Sequence, residues 1–208
     1  MTAIKICGVT TPGIARLCRS LAVDHIGLVF AARSARKLAP DAAAEIASAA
    51  PELSRVGLFV DPANADIDAA LPAITAIQLH GEEPPERCAE IRARIGLPVW
   101  KAIGVSSRAD VAAASAWREA CDLALFDTKA PPGAVEGGRG VRFDWALLAS
   151  PPPVPVWGLA GGLSPANVGR AMGETNAPLV DVSTGVEEAP GIKSPEAVRA
   201  FVQAVRTA

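Results

Sequence analysis

Two residues in this sequence could move protons, and each closes an apolar run. Cys7 follows Ala3-Ile4-Lys5-Ile6 and precedes Gly8 and the polar pair Thr10-Thr11. A thiol is only slightly ionised at neutral pH, so as a base it needs a lowered pKa or an unusually acidic proton to remove. Asp127 follows Leu123-Ala124-Leu125-Phe126. A partly buried carboxyl there can donate a proton, its pKa raised by desolvation, whereas the plainer reading is a carboxylate that caps the next turn. Cys18, Cys88 and Cys121 lack such a setting and read as buried structural thiols. The four cysteines, spaced 11, 70 and 33 apart, form no C-x-x-C, and the two histidines stand apart, so no metal site is expected.

Other residues could grip anions. Gly161-Gly162 stands just before Ser164-Pro165, and Ser183-Thr184-Gly185 follows a late apolar run. Glycine lets backbone N–H groups approach an anion, and a helix N-terminus behind it adds a favourable dipole. Either turn alone is ordinary loop chemistry; the two together point to a phosphate. Arg36, in Arg33-Ser34-Ala35-Arg36-Lys37, is a solvated arginine or a planar fork for a carboxylate. His80 is either a satisfied loop histidine or a partner for substrate hydroxyls. Asp181, inside an apolar run, needs a partner, whether structural or substrate.

The elements that must carry these residues recur regularly. Nearly continuous apolar runs at 3–7, 25–30, 54–60, 75–79, 97–102, 121–126, 154–159 and 178–182 suit strands buried on both faces. Helical spacing occupies 12–21, 40–49, 85–95, 107–119, 164–172 and 194–205, several segments opening on Ser-Pro or a leading Pro. The segment 61–71 is the weakest, and the helix after the sixth strand is shortened to about 143–149, with Asp144 as its cap. Strands alternating with helices imply parallel βαβ units. Neither G-x-G-x-x-G after the first strand nor the P-loop pattern is present. Eight units therefore predict an α/β chain folded as a single-domain (β/α)8 TIM barrel over residues 1–208. It is near-minimal, since 208 residues over eight units leave 26 per unit. Cys7, Arg36, His80, Asp127 and the two small-residue turns then follow or close strands at their C-terminal ends, where barrel enzymes keep their chemistry, while Asp181 lies inside the eighth strand. Lys101 is the one lysine expected to end a strand.

Composition narrows the partners. Lys+Arg number 20 against 22 Asp+Glu, no basic run appears, and aromatics are 4%, so nucleic acid is not an expected partner. Half the residues are hydrophobic, which excludes disorder. No charge-free apolar stretch of membrane-spanning length and no secretory signal is present, so a cytoplasmic protein with reduced thiols, acting on a small molecule as a monomer or homodimer, is expected.

Taken in order, the motifs resemble the phosphoribosylanthranilate isomerase family of tryptophan biosynthesis almost end to end. They run from Lys5-Ile6-Cys7-Gly8-Val9-Thr10 through Ser34-Ala35-Arg36, Val56-Gly57-Leu58-Phe59-Val60 and Gln78-Leu79-His80-Gly81-Glu82. They continue through Asp127-Thr128, Gly137-Gly138-Arg139-Gly140 and Phe143-Asp144-Trp145. They close with Leu159-Ala160-Gly161-Gly162-Leu163, the stretch from Val180-Asp181 to Val186-Glu187, and Pro190-Gly191. The resemblance implies an Amadori rearrangement of N-(5-phosphoribosyl)anthranilate to an aminodeoxyribulose phosphate, without metal or organic cofactor. It implies Asp127 as general acid and Cys7 as general base, with Arg36 facing the anthranilate carboxylate. Gly161, Gly162, Ser183, Thr184 and Gly185 would hold the phosphate, and His80 and Asp181 would lie along the sugar. Two departures touch binding loops: Arg139 stands where the family has a small hydroxyl residue, and Ala35 where it has proline. Two other phosphosugar barrels are alternatives. An indole-forming synthase would bring catalytic lysines and an N-terminal extension; a histidine-pathway isomerase would bring an aspartate in place of Cys7. A barrel that binds a phosphometabolite without turning it over is a third, and the presence of both Cys7 and Asp127 speaks against it.

Overall fold

A computed structural model describes residues 1–129 and 143–208. The eight expected strands are all present and close into a parallel barrel in chain order. They are β1 (Ala3–Cys7), β2 (His25–Val29), β3 (Ser54–Phe59), β4 (Ala76–Leu79), β5 (Val99–Val105), β6 (Leu123–Thr128), β7 (Trp157–Leu159) and β8 (Leu179–Val182). The seam between first and last strand pairs Ala3 with Leu179, Lys5 with Asp181 and Ile6 with Val182. Seven α-helices are described: α1 (Pro12–Ser20), α2 (Pro40–Ala49), α3 (Asn64–Ala70), α4 (Pro85–Ile95), α5 (Arg108–Ala113), α6 (Val168–Thr175) and α7 (Pro195–Thr207). After β8 the chain forms a short hairpin, β9 (Glu187–Ala189) and β10 (Ile192–Lys193), before α7.

The helices form where the sequence supplies both a cap and an apolar stripe. In α7, Ser194 accepts the Ala197 N–H at 3.2 Å, Pro195 occupies the first turn, and Val198, Phe201, Val202 and Val205 bury one face. Thr11 caps α1 in the same way. Two apolar layers result. Val56, Ala76, Trp100, Leu123, Leu125 and Leu179 cluster with one another as one layer, and a larger second cluster joins the alternate strand residues to the helices.

Several boundaries differ from expectation, each for a local reason. β5 runs to Val105 rather than 102, because the small residues Ala102 and Gly104 stay paired with Leu125 and Asp127. Lys101 therefore lies inside a strand, not at its end. β6 likewise runs through Thr128, so Asp127 belongs to the strand itself. β7 starts only at Trp157, since prolines 151–153 and 155 have no N–H for a ladder. α5 stops at Ala113 and continues as a 3₁₀ turn to Trp117. α6 begins at Val168 rather than Ser164, because the Asn167 side chain accepts the Ser164 N–H at 2.8 Å and donates to the Gly162 carbonyl at 2.9 Å, holding an open turn. The weak segment 61–71 does form α3, and the expected short helix at 143–149 is a 3₁₀ turn, Trp145–Leu148, capped by Asp144. Gly137, Gly138, Arg139 and Gly140 lie outside the described residues.

Candidate active site

Strand alternation explains why the candidate residues share one face. Side chains two apart point the same way, so Lys5 and Cys7 continue the phase of Ala3, Gln78 and His80 that of Ala76, Asp127 that of Leu125, and Asp181 that of Leu179. All four starting residues belong to the first apolar cluster or pack against it. Polar groups thus succeed apolar ones toward the C-terminal mouth of the barrel.

Asp127 keeps its proton more tightly than an ordinary aspartate. Its side chain is 24% exposed, yet the carboxyl lies deep enough that burial raises its pKa from the ordinary 3.8 to about 6. The Thr128 N–H, donating to Oδ1 at 2.6 Å, and the more distant Lys5 ammonium pull the other way. His80 Nε2 stands 3.5 Å from Asp127 Oδ2, and the buried Gln78 amide donates to His80 Nδ1 at 2.9 Å. Gly161 completes the enclosure. Its φ is +82°, and a Cβ there would meet Thr128 and come within 2.8 Å of Asp127 Oδ1, so only glycine lets the seventh loop lie against the carboxyl.

Cys7 is buried at the end of β1, and burial pushes its thiol above the ordinary value, opposed chiefly by the Lys5 ammonium. Lys5 is fully buried, and its Nζ lies 2.8 Å from Asp181 Oδ2. Burial works against that charge, but Asp181 and Cys7 outweigh it and hold the ammonium pKa above its ordinary range. Asp181 thus has the partner it required, while its Oδ1 makes no hydrogen bond among the described residues. Cys18, Cys88 and Cys121 are buried free thiols pushed up by burial to about 12, 11 and 11, in keeping with structural roles.

The two small-residue turns meet. Gly185 packs so closely on the Leu163 carbonyl that a Cβ would overlap it, which brings the turn after β8 against the turn after β7. The helix N-terminus expected behind Gly162 is displaced to Val168, and a three-residue 3₁₀ turn, Thr184–Val186, follows Ser183 instead. Arg36 is not a solvated arginine. It forms a two-pronged pair with Glu187, and Lys193 joins the same carboxylate. The His80-Gly81 loop is pinned by Glu83, which accepts the Asp61 and Gly81 N–H groups and pairs with the buried Lys101 at 2.9 Å.

The sequence pointed to the candidates themselves but not to Lys5, Gln78, Glu83, Lys101, Glu187 and Lys193, which pair with them or hold their loops. A charged residue inside an apolar run, as in Ala3-Ile4-Lys5-Ile6-Cys7, was the available signal for Lys5 and Lys101. Among the described residues no group of three or more His, Cys, Asp or Glu side chains is placed to hold a metal ion.

A parallel barrel that sets a protonatable carboxyl and a buried thiol at its mouth, beside adjoining glycine-rich seventh and eighth loops, falls in the class of phosphosugar-handling (β/α)8 barrels. The comparison with known families narrows that class. The family model for N-(5'-phosphoribosyl)anthranilate isomerase matches residues 4–204, and the chain belongs to that family. It is 46% identical over 207 residues to the N-(5'-phosphoribosyl)anthranilate isomerase of Paramagnetospirillum magneticum, covering 98% of this chain and 96% of the relative. Among solved structures, the Thermotoga maritima phosphoribosyl anthranilate isomerase superposes with a TM-score of 0.90 at 37% identity, covering all of both chains. A phosphoribosyl anthranilate isomerase solved with reduced 1-(o-carboxyphenylamino)-1-deoxyribulose 5-phosphate superposes with a TM-score of 0.86 at 34% identity, again over the whole of both.

Proposed function

We propose that this chain catalyses the Amadori rearrangement of N-(5-phosphoribosyl)anthranilate to 1-(2-carboxyphenylamino)-1-deoxyribulose 5-phosphate, a step of tryptophan biosynthesis. The observation that carries the assignment of roles is the Asp127 carboxyl, which keeps a proton far better than an ordinary aspartate, beside His80 and the Gly161 turn. Asp127 gives its proton to the furanose ring oxygen as the C1–O bond breaks, and the aryl nitrogen lone pair forms the iminium. That cation acidifies the C2–H, and Cys7 as thiolate takes this proton, leaving an enolamine. The enolamine tautomerises to the ketone, with no net oxidation. A weak base suffices because the cation has already lowered the barrier. Arg36 receives the anthranilate carboxylate, while Gly161, Gly162, Ser183, Thr184 and Gly185 hold the phosphate. His80 and the unpartnered Oδ1 of Asp181 lie along the sugar hydroxyls. Fixing an anion at both ends holds the reacting carbons between acid and base.

Residues 1–208 act as one catalytic domain, as a monomer or homodimer, without nucleic-acid or membrane partners; the balanced charge supports this, and among the described residues no helix is long and apolar enough to cross a membrane. The cytoplasm suits four unpaired cysteines. Purified protein is expected to abolish phosphoribosylanthranilate fluorescence without added cofactor, and folded protein that leaves it unchanged would defeat the assignment. C7A and D127N should each lower turnover by about 10²- to 10⁴-fold; a variant within tenfold of the parent removes that residue from its role.

A further inference from the structure

Among the described residues, the arginine fork at Arg36 is occupied on one edge only. Its Nε and Nη2 donate to Glu187 Oε1 and Oε2, both at 2.6 Å. A guanidinium carries five N–H donors. This side-on pairing uses two and leaves the two on Nη1 and the second on Nη2, the pair of nitrogens that makes the end-on fork. Glu187 is itself held, since Lys193 Nζ donates to Oε1 at 2.8 Å. The same ammonium donates to the Ser183 carbonyl at 3.0 Å and to Ser183 Oγ at 3.3 Å. Lys193 is fully buried, Glu187 is 5% exposed and Arg36 12% exposed, so water competes little for these bonds. Thr10 Oγ1, donating to the Gly191 carbonyl at 2.9 Å, ties the hairpin that carries both residues to the loop after Cys7.

One carboxylate therefore spans the two ends proposed to take the substrate's anions. On one side it grips Arg36; on the other, through Lys193, it reaches the first residue of the Ser183-Thr184-Gly185 turn. The cluster holds two cations against one anion and keeps a net positive charge for a ligand carboxylate. We propose that Glu187, with Lys193, is a positioning residue for substrate selection: it turns the free end-on fork of Arg36 toward the site and sets its distance from the phosphate turn, so that the site selects phosphosugars bearing a carboxylate at that separation. The inference rests on Arg36 as the carboxylate receptor.

The test compares two inhibitors, the reduced product analogue 1-(o-carboxyphenylamino)-1-deoxyribitol 5-phosphate and its phenylamino counterpart without the carboxyl group. Inhibition constants do not depend on the fraction of enzyme folded, so their ratio reports recognition rather than stability. The parent protein is expected to prefer the carboxylated inhibitor by about 30- to 100-fold, the value of one charge-assisted two-pronged pair. R36M should erase that preference, and E187Q should reduce it to about fivefold or less, with the substrate penalty falling on KM more than on kcat. E187D keeps the charge but draws it back by one methylene, should give an intermediate preference, and serves if E187Q does not fold. A preference lost in R36M but intact in E187Q and E187D overturns the inference and leaves the reading of Arg36 standing. Tighter binding of the carboxylated inhibitor by E187Q also overturns it, since Glu187 would then be a competitor for the fork. A preference intact in R36M overturns the reading of Arg36 and the inference with it.

Discussion

Replacing Asp127 with asparagine should cut turnover by the factor given above and make the protein more stable, and the stability gain should depend on pH in a calculable way. The folded state raises the Asp127 pKa from 3.8 to about 6, mainly by burial. A pKa raised on folding means that the native state binds the proton more tightly than the unfolded chain. Stability from this group is therefore complete below about pH 4 and is lost as pH rises through about 6. The shift of about 2 units, at 1.36 kcal/mol each, corresponds to about 2 to 3 kcal/mol of native-state cost at pH 7.5. Asparagine is nearly isosteric, its carbonyl can still accept the Thr128 N–H, and it carries no charge to desolvate. D127N should thus gain about 2 to 3 kcal/mol at pH 7.5 and almost nothing at pH 4. Urea denaturation followed by tryptophan fluorescence at the two pH values measures the difference. An equal gain at both would mean that packing, not charge burial, drives the change. No gain at pH 7.5 would refute the buried, protonatable carboxyl on which the proposed acid rests.

Two further outcomes follow from the same geometry. K5M should cost about 3 to 5 kcal/mol, because it leaves the buried Asp181 carboxylate without its Lys5 partner, whereas K5M/D181L should cost far less than the sum of the two single changes. Additive losses in urea denaturation would show that the two ions are not coupled. In the pH profile of kcat/KM, the acid limb should fall below about pH 6, where Asp127 titrates, and the alkaline limb should lie above the ordinary thiol value of 9.0. An acid limb near pH 4 would show an unperturbed Asp127.

The barrel was legible because its evidence is repeated eight times: an error at one strand boundary leaves the count intact. Where boundaries slipped, small or ring-closed residues hid the pattern. Ala102 and Gly104 carry little apolar signal yet pair fully with β6, and the prolines before Trp157 look apolar yet cannot donate to a ladder. The candidate residues were legible as types at or near strand ends. Their partners were not, because the pairing is set by closure of the barrel. Lys5 and Asp181 are 176 residues apart and meet only across the β1–β8 seam, and Arg36 meets Glu187 across 151 residues. No local spacing announces such contacts. The contact between the turns after β7 and β8 was visible only as two separate small-residue turns, since the Gly185–Leu163 approach joins elements on neighbouring strands.

The order of the two proton affinities constrains how the site works. With Asp127 titrating near 6 and Cys7 above 9, the resting pair near neutral pH is a carboxylate and a thiol, the reverse of the form that the proposed reaction consumes. The productive form, protonated Asp127 with Cys7 thiolate, is then a minority whose fraction is constant between the two pKa values and declines outside them, which gives the profile its acid and alkaline limbs. Lys5 draws both pKa values down, while Asp181 raises that of Cys7. Asp181 thereby limits how far the shared cation can favour the thiolate. Substrate supplies what the resting site lacks. In the proposed reaction its bulk would exclude water from Asp127 and favour the protonated carboxyl, and the iminium formed beside Cys7 would favour the thiolate at the step that uses it. The productive form differs from the resting one only by a proton moved from the Cys7 thiol to the Asp127 carboxylate, so in the proposed reaction the thiolate is already present, as a minority, when the ring opens.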